Sequence, residues 1–243
     1  MKLQYLSDLH LELHADGGLS FVDSLDPSGV DVLVVAGDFA VGKGIGPALD
    51  LLCGHYAAAK VLYVHGNHEF YGSNRERVVA ETRAACARNA NLAWLDGDVV
   101  ELGGARFVGT PLWFREPVGA GYLSRGMSDF VQIEGFTGWV YAENARALDF
   151  LERELRADDV VITHYLPVEA SIAPRWKGNA LNPFFLCDVE TLMRARAPRV
   201  WIHGHTHDSI DLTIGATHVL ANPFGYVSYE LNRSFQPRAL IEL

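Results

Sequence analysis

Apolar positions along the chain gather into short runs that stop abruptly on polar residues. KLQYLSDLH ends at Asp8 and His10, DVLVVAGDF at Asp38, and KVLYVHGNHEF at Asn67 and His68. DDVVITHYLP ends at His164, and PRVWIHGHTH ends at His205 and His207. Each run is near-continuous and of strand length, the pattern of strands covered on both faces. Helical periodicity lies between them. SNRE, from Ser73 to Glu76, reads as a capping box ahead of RVVAETRAACARN, with Val79, Thr82 and Cys86 on the buried face. AENARALDFLERELR puts Leu148, Leu151 and Leu155 on one face and charges opposite. Two hairpins are expected, turning at Gly103-Gly104 and at Gly215-Ala216.

Strands alternating with helices, followed by hairpins, predict an α/β layered fold with mixed sheets. With no repeat, low-complexity tract or linker, residues 1–243 read as a single domain. The least regular stretch runs from Arg115 to Gly138, rich in glycine and aromatic residues, and is a candidate lid or substrate loop.

The composition narrows the class. The chain is 243 residues, 49% hydrophobic and 21% charged, enough to bury a core without covalent staples. No apolar run reaches the length of a membrane span, and the N-terminus reads as a first strand rather than a signal peptide. Three cysteines without a pattern (Cys53, Cys86, Cys187) argue against a disulfide framework, so cytoplasm is the expected compartment. A formal net charge of −10 counts against binding long nucleic acid, whose phosphates demand a basic face.

The chemistry concentrates at the strand ends, where α/β sheets bind ligands. Residues two apart in extended chain point the same way, so Asp8 with His10, and His205 with His207, each reach a common point. Gly37, Gly66 and Gly204 precede three of the motifs, where the backbone must turn sharply or approach closely. Imidazole, carboxylate and amide oxygen together suit manganese, iron, zinc or cobalt. Asp8, His10, Asp38, Asn67, His164, His205 and His207 are seven potential ligands, enough for two ions sharing one. Left without ions, so many buried ionisable groups would be costly.

In order, DLH, GD, GNHE, the His before Tyr-Leu-Pro, and GHTH resemble the calcineurin-like metallophosphoesterase superfamily, in particular its small stand-alone bacterial and phage members. The resemblance implies a four-layered α/β/β/α sandwich with two mixed β-sheets. It implies one metal on Asp8, His10, Asp38 and His207. A second would sit on Asp38, Asn67, His164 and His205, with Asp38 bridging. His68 would face the phosphate and assist the leaving group. The second block reads GDFAVGKG, without the Asp-Arg pair of the protein phosphatases, which argues against that activity.

The function expected from this set is hydrolysis of a small-molecule phosphate monoester or diester by in-line attack of a metal-bridging hydroxide. The cofactor is two divalent or trivalent ions, manganese first, with iron, zinc, cobalt or nickel also fitting. The rivals are an oligonucleotide phosphodiesterase and a catalytically silent scaffold, the latter disfavoured because every ligand is present. Among the other residues, His14, His55 and His218 read as structural. His65 and His203 read either as partners orienting a ligand or as core. Glu69 reads as a solvated or helix-end residue, and Lys43 and Arg125 as facing water. Trp113, Phe114, Tyr122 and Trp139 read as core rather than a substrate platform. NPFGY, from Asn222 to Tyr226, is expected to return near the metals.

Overall fold

A computed structural model describes all residues, Met1–Leu243. The first sheet contains β1 (Lys2–Leu6), β2 (Val32–Ala36), β3 (Lys60–Val64), β4 (Leu92–Trp94) and β13 (Leu240–Glu242), in the order β13-β1-β2-β3-β4. Only β13 runs antiparallel to its neighbour. The second sheet contains β5 (Asp98–Leu102), β6 (Ala105–Gly109), β7 (Val160–Ile162), β8 (Val200–His203), β9 (Ile210–Ile214) and β10 (Thr217–Ala221), ordered β5-β6-β7-β8-β10-β9. Its two outer pairs are antiparallel and its centre parallel. A ribbon of β11 (Gly225–Tyr226) and β12 (Glu230–Leu231) stands apart.

Alternation along the strands explains the layering. Leu3, Val32, Val34 and Leu62 of the first sheet share one cluster with Phe107, Ile162, Ile202 and Leu220 of the second, so these faces meet. The intervening side chains, such as Leu33, Val35, Val61 and Tyr63, belong to a second cluster that includes the helices. Helices α1 (Leu19–Ser24), α2 (Ile45–His55) and α3 (Arg75–Arg88) cover the first sheet, and α6 (Val140–Glu154) and α7 (Glu190–Arg196) the second. The result is the expected four-layered α/β/β/α sandwich with two mixed sheets. All five anticipated strands form, and both hairpins turn at the anticipated pairs, with Leu102 opposite Ala105 and Ile214 opposite Thr217.

Several local expectations are corrected. The cap of α3 is Asn74, whose Oδ1 accepts the Arg77 N–H at 3.1 Å, rather than Ser73. Its buried stripe is Val78, Thr82 and Ala85; Val79 and Cys86 flank it half-buried. In α6, Asn144 joins Ala147, Phe150 and Leu151 on the buried face, because its Nδ2 donates to Leu112 O at 2.8 Å. The segment 115–138 is not irregular. It carries α4 (Ala120–Leu123), α5 (Asp129–Gln132) and two 3-10 turns, and buries Met127, Ile133 and Phe136. Trp113 and Phe114 are core and Trp139 packs against them, but Tyr122 is 77% exposed. On a four-residue helix at the surface, where Leu123 turns to the core, its ring has nothing to cover it.

A second excursion, from Leu166 to Leu186, follows β7. Its ends are tied together: Leu166 N–H donates to Phe185 O at 3.1 Å, and Cys187 N–H to Leu166 O at 3.0 Å. Three 3-10 turns fill the span between. The three cysteines are unpaired, and no helix is long and apolar enough to cross a membrane.

Candidate metal centre

The strand ends are stitched to one another before any side chain is considered. Asp8 N–H donates to Gly37 O and His10 N–H to Asp38 O, each at 3.0 Å, joining the ends of β1 and β2. Gly204 N–H donates to His164 O at 3.0 Å, joining the ends of β7 and β8. The two sheets are joined by His205 N–H, which lies 3.0 and 3.1 Å from the two oxygens of Asp8. Asp8, His10, Asp38, His205 and His207 all take left-handed backbone, with φ of 52°, 46°, 52°, 67° and 49°. Asp, Asn and His tolerate that region better than other side chains, though at a cost of about 1–3 kcal/mol each. Crowding explains the glycines. A Cβ on Gly37 would overlap the His164 ring, and one on Gly66 the Asp38 carboxylate.

All seven predicted ligands converge. Ligand atoms of Asp8, His10 and His207 lie within 4.8 Å of one another, and so do those of Asp38, His164 and His205. Asp38 Oδ2 stands between the groups, 3.8 Å from His10 Nε2 and 3.5 Å from His164 Nε2. Asn67 Oδ1 is 3.2 Å from His164 Nε2. Outer partners set the tautomers. His164 Nδ1–H donates to Ala36 O at 2.9 Å, which frees Nε2 to ligate. His10 Nδ1–H donates to Glu12 at 3.2 Å, with the same consequence.

The donor set fits cations. His10 Nε2 and His207 Nε2 face each other at 3.3 Å, and His164 Nε2 and His205 Nδ1 at 3.1 Å. A single proton serves each pair poorly, and the buried Nε2 of His205 has no partner at all. Electrostatics agree. Burial would raise the Asp38 carboxyl, yet His164, His68 and His10 outweigh it and hold the group well below the usual carboxylate range. Burial would likewise lower His164, but Asp38 and Asp8 push it up to about 9. His207 is pushed up to about 10 against the effect of burial, by Asp8 and Glu230. The carboxylates thus favour a proton on His164 and His207, while burial holds His10 and His205 below the usual imidazole range.

Glu69 corrects an expectation. It is fully buried, not solvated. Its Oε2 accepts Asp38 N–H at 3.2 Å and Gly66 N–H at 2.8 Å; its Oε1 accepts Phe39 N–H at 2.8 Å and the Tyr63 hydroxyl at 2.7 Å. One carboxylate thus clamps the loops after β2 and β3 that carry Asp38 and Asn67. Burial, then the neighbouring Asp38, raises its pKa to about 7.

His68 lies outside the seven, half-buried at the mouth. Its N–H donates to Asp38 Oδ1 at 2.9 Å, its Nε2 is 2.9 Å from the Tyr226 hydroxyl, and its Nδ1 is 3.7 Å from Glu12. Tyr226 also packs on His10 and His207, so the NPFGY stretch does return to the centre. His65 is core: its Nε2 meets Thr82 Oγ1 at 2.8 Å among Tyr63, Phe70 and Trp94, away from the ligands, and burial lowers its pKa to about 3. His203 is buried behind the centre, with Nδ1–H donating to Gly204 O at 2.9 Å. His14 and His55 donate to the carbonyls of Leu9 and Leu25 and His218 meets Asp211, all structural roles. Lys43 and Arg125 face water.

Sequence reasoning missed Asp129, Glu12 and Glu230. Asp129 is buried in the 115–138 segment and accepts Asn67 Nδ2–H at 2.8 Å and the Tyr71 hydroxyl at 2.6 Å. It thereby turns the Asn67 amide oxygen toward His164. No motif marks it, because its partners lie about sixty residues away. A cavity of about 340 Å³ opens from the centre between this segment and the Leu166–Leu186 excursion.

Comparison with known proteins agrees with this fold. The model of the calcineurin-like phosphoesterases matches residues 1–209. An uncharacterised protein of Acanthamoeba polyphaga mimivirus is 24% identical, over 99% of this chain and 96% of its own length. Among solved structures, the phosphopantetheinyl hydrolase PptH of Mycobacterium tuberculosis superposes with a TM-score of 0.72 at 21% identity, covering 94% of this chain and 93% of that one. A protein of Thermus thermophilus superposes with a TM-score of 0.57 at 12% identity, covering 91% and 88%. At these identities the superpositions speak to fold alone.

Proposed function

The chain belongs to the calcineurin-like phosphoesterases, and from that premise we propose that it hydrolyses a small-molecule phosphate ester at a centre of two metal ions. Asp8, His10, Asp38 and His207 would hold one ion, and Asp38, Asn67, His164 and His205 the other. The observation that carries this reading is the position of Asp38, the one carboxylate within 4 Å of imidazoles from both groups. Nitrogen and oxygen donors without thiolate suit manganese first, with iron, zinc, cobalt or nickel also fitting. When bound, such ions neutralise phosphoryl oxygens and lower the pKa of water, the chemistry of in-line displacement at phosphorus.

The chain's own residues do the rest. Against the effect of burial, Asp38 and then Glu12 beside Nδ1 favour the protonated His68 ring. The Nε2–H of His68, shared at rest with the Tyr226 hydroxyl, donates to the departing oxygen. The P–O bond to the alcohol breaks, water supplies the new P–OH, and alcohol and phosphate leave. Glu69 and Asp129 hold the loops and the Asn67 amide in place throughout. Oligonucleotide cleavage has less support, since no Lys or Arg lines the cavity. A silent scaffold has less still, since all seven ligand side chains converge.

The test is elemental analysis and turnover of manganese-loaded protein. About two ions per chain are expected, with hydrolysis of p-nitrophenyl phosphate or its bis ester. His68→Asn should keep both ions and lose about 10²–10⁴-fold in kcat. Fewer than one ion per chain, or undiminished turnover by the variant, defeats the reading.

A further inference from the structure

The cavity beside the centre has a chemistry of its own. Its far wall is apolar, formed by Met127 from the 115–138 segment and Leu166, Ile172, Trp176, Leu181 and Phe185 from the tied excursion. This wall is continuous with the centre, because the Phe185 ring stacks on His205 at 4.6 Å between centroids. The opposite end is closed where Gly126 meets Leu181: a Cβ on that glycine would come within 3.3 Å of Leu181 Cδ1. Trp176 stands at the rim, 42% exposed, an apolar surface with little protein to cover it.

Charge sharpens the picture. No lysine or arginine lines the space, and beyond the centre's own Asp38, His68, His205 and His207 its charged side chains are Asp129 and Glu230. The neighbouring Arg175 lies over the outer Trp176 ring, 5.0 Å from its centroid, and is paired with Asp208 at 2.9 Å and Glu230 at 3.1 Å, which offset its charge. A ligand whose phosphate sits at the ions must project its remainder along this wall. A polyphosphate, a carboxylate or a sugar-phosphate chain there would find carboxylates, hydrocarbon and only neutral donors such as Asn179 and Asn182. The volume of about 340 Å³ lies within the ordinary range of small-molecule sites, about 300–1,000 Å³.

We infer that the substrate is a phosphate ester of an uncharged, largely apolar alcohol, whose hydrocarbon portion lies between Met127 and the Leu166–Phe185 wall. This deepens the phosphoesterase reading and rests on it for the position of the phosphate. The wall acts on specificity: it binds the leaving group and excludes anionic ones.

The experiment uses non-hydrolysable phosphonates on the manganese-loaded protein, with binding read by calorimetry and Trp176 fluorescence. Each buried methylene is worth about fourfold in affinity. Hexylphosphonate should therefore bind at least about thirtyfold tighter than methylphosphonate, allowing for partial burial of the five added methylenes. 5-Carboxypentylphosphonate should bind at least about tenfold more weakly than hexylphosphonate, because its charged end meets hydrocarbon. Trp176→Asp and Leu181→Asp should each bring the hexyl-to-methyl ratio toward one. Trp176 is the safer probe of the two, because its exposure lets the chain fold without it. Hexyl- and methylphosphonate affinities within threefold of each other, or no loss from a carboxylate end, overturn the inference. If p-nitrophenyl phosphate is hydrolysed but no chain-length preference exists, the apolar wall is not a substrate surface and the phosphoesterase reading stands. If the preference exists without hydrolysis, the wall binds alkyl chains but the phosphoesterase reading falls and the substrate assignment falls with it.

Discussion

Five of the seven candidate ligand side chains stand on left-handed backbone at strand ends, while the cavity wall beside them is made of short helical turns whose main-chain ties to one another lie at their bases. The two regions share one opening and are built oppositely. The ligand loops are buried, cross-linked by main-chain hydrogen bonds, and strained at about 1–3 kcal/mol per residue. The wall makes its main-chain bonds mostly within its own turns, such as Trp176 N–H to Ala173 O at 2.8 Å, and spends its side chains on shape. A reacting centre must hold charges in fixed positions, and rigid sheets supply that. A surface that selects an alcohol needs only contour and polarity, which loops supply and which vary without disturbing the sheets.

The largest effect separating the two regions should come from Asp38. Asp38→Ala removes the carboxylate common to both ligand groups and leaves His10 and His164 facing each other's territory uncompensated. Metal content should fall below one ion per chain, and kcat should drop by about 10³-fold or more, about 4 kcal/mol. If that variant keeps two ions, the comparison breaks, because the strained loops would not depend on the charge at their centre.

Next in size is Glu69, which tests whether the ligand loops depend on a clamp. Glu69→Ala strands three backbone N–H groups and the Tyr63 hydroxyl in a closed space. Each buried unpaired group costs about 1–3 kcal/mol, and entry of water recovers part of the sum. A net loss of about 3 kcal/mol should lower the melting temperature by about 6–12 °C in a chain of this size. An unchanged melting temperature means that the loops hold themselves without it.

These two residues also show what a sequence reveals. Asp38 is legible because it ends an apolar run, follows a glycine, and shares that position with four other polar clusters. The sheets are legible for the same reason, since strands covered on both faces leave continuous apolar runs. Glu69 sits one residue from a legible histidine and looks like any solvated acid. Its burial is decided by Tyr63 and by N–H groups of another loop. The α3 stripe, one residue off from expectation, shows the same limit at smaller scale: Val78 and Val79 are chemically alike, and only packing against α2 selects between them. The cavity wall is the least legible part. Leu166, Ile172 and Leu181 are ordinary apolar residues in a stretch of 3-10 turns, and nothing local marks them as facing a ligand.

The smallest effect concerns the residue that joins the two regions. Asp129 belongs to the wall segment yet bonds the Asn67 amide, so it is the point where loop and ligand meet. Its second oxygen is buried without a partner, and burial raises the carboxyl above the usual range, so it is held there at a cost. Asp129→Ala leaves Asn67 Nδ2 with only the weaker bond to the Tyr71 hydroxyl at 3.3 Å and lets the amide rotate. Partners that orient a metal ligand are worth about 10–100-fold in metal affinity or activity. The variant should show that loss for the ion on Asn67, His164 and His205, while the ion on Asp8, His10 and His207 stays. Manganese titration followed by calorimetry resolves the two events. Asp129→Asn separates orientation from charge: it can still accept the Asn67 Nδ2–H and the Tyr71 hydroxyl, so most of the affinity should return if orientation is the role. Equal weakening of both ions would instead mean that the segment acts by closing the mouth of the cavity, and the division between rigid centre and adaptable wall would have to be redrawn.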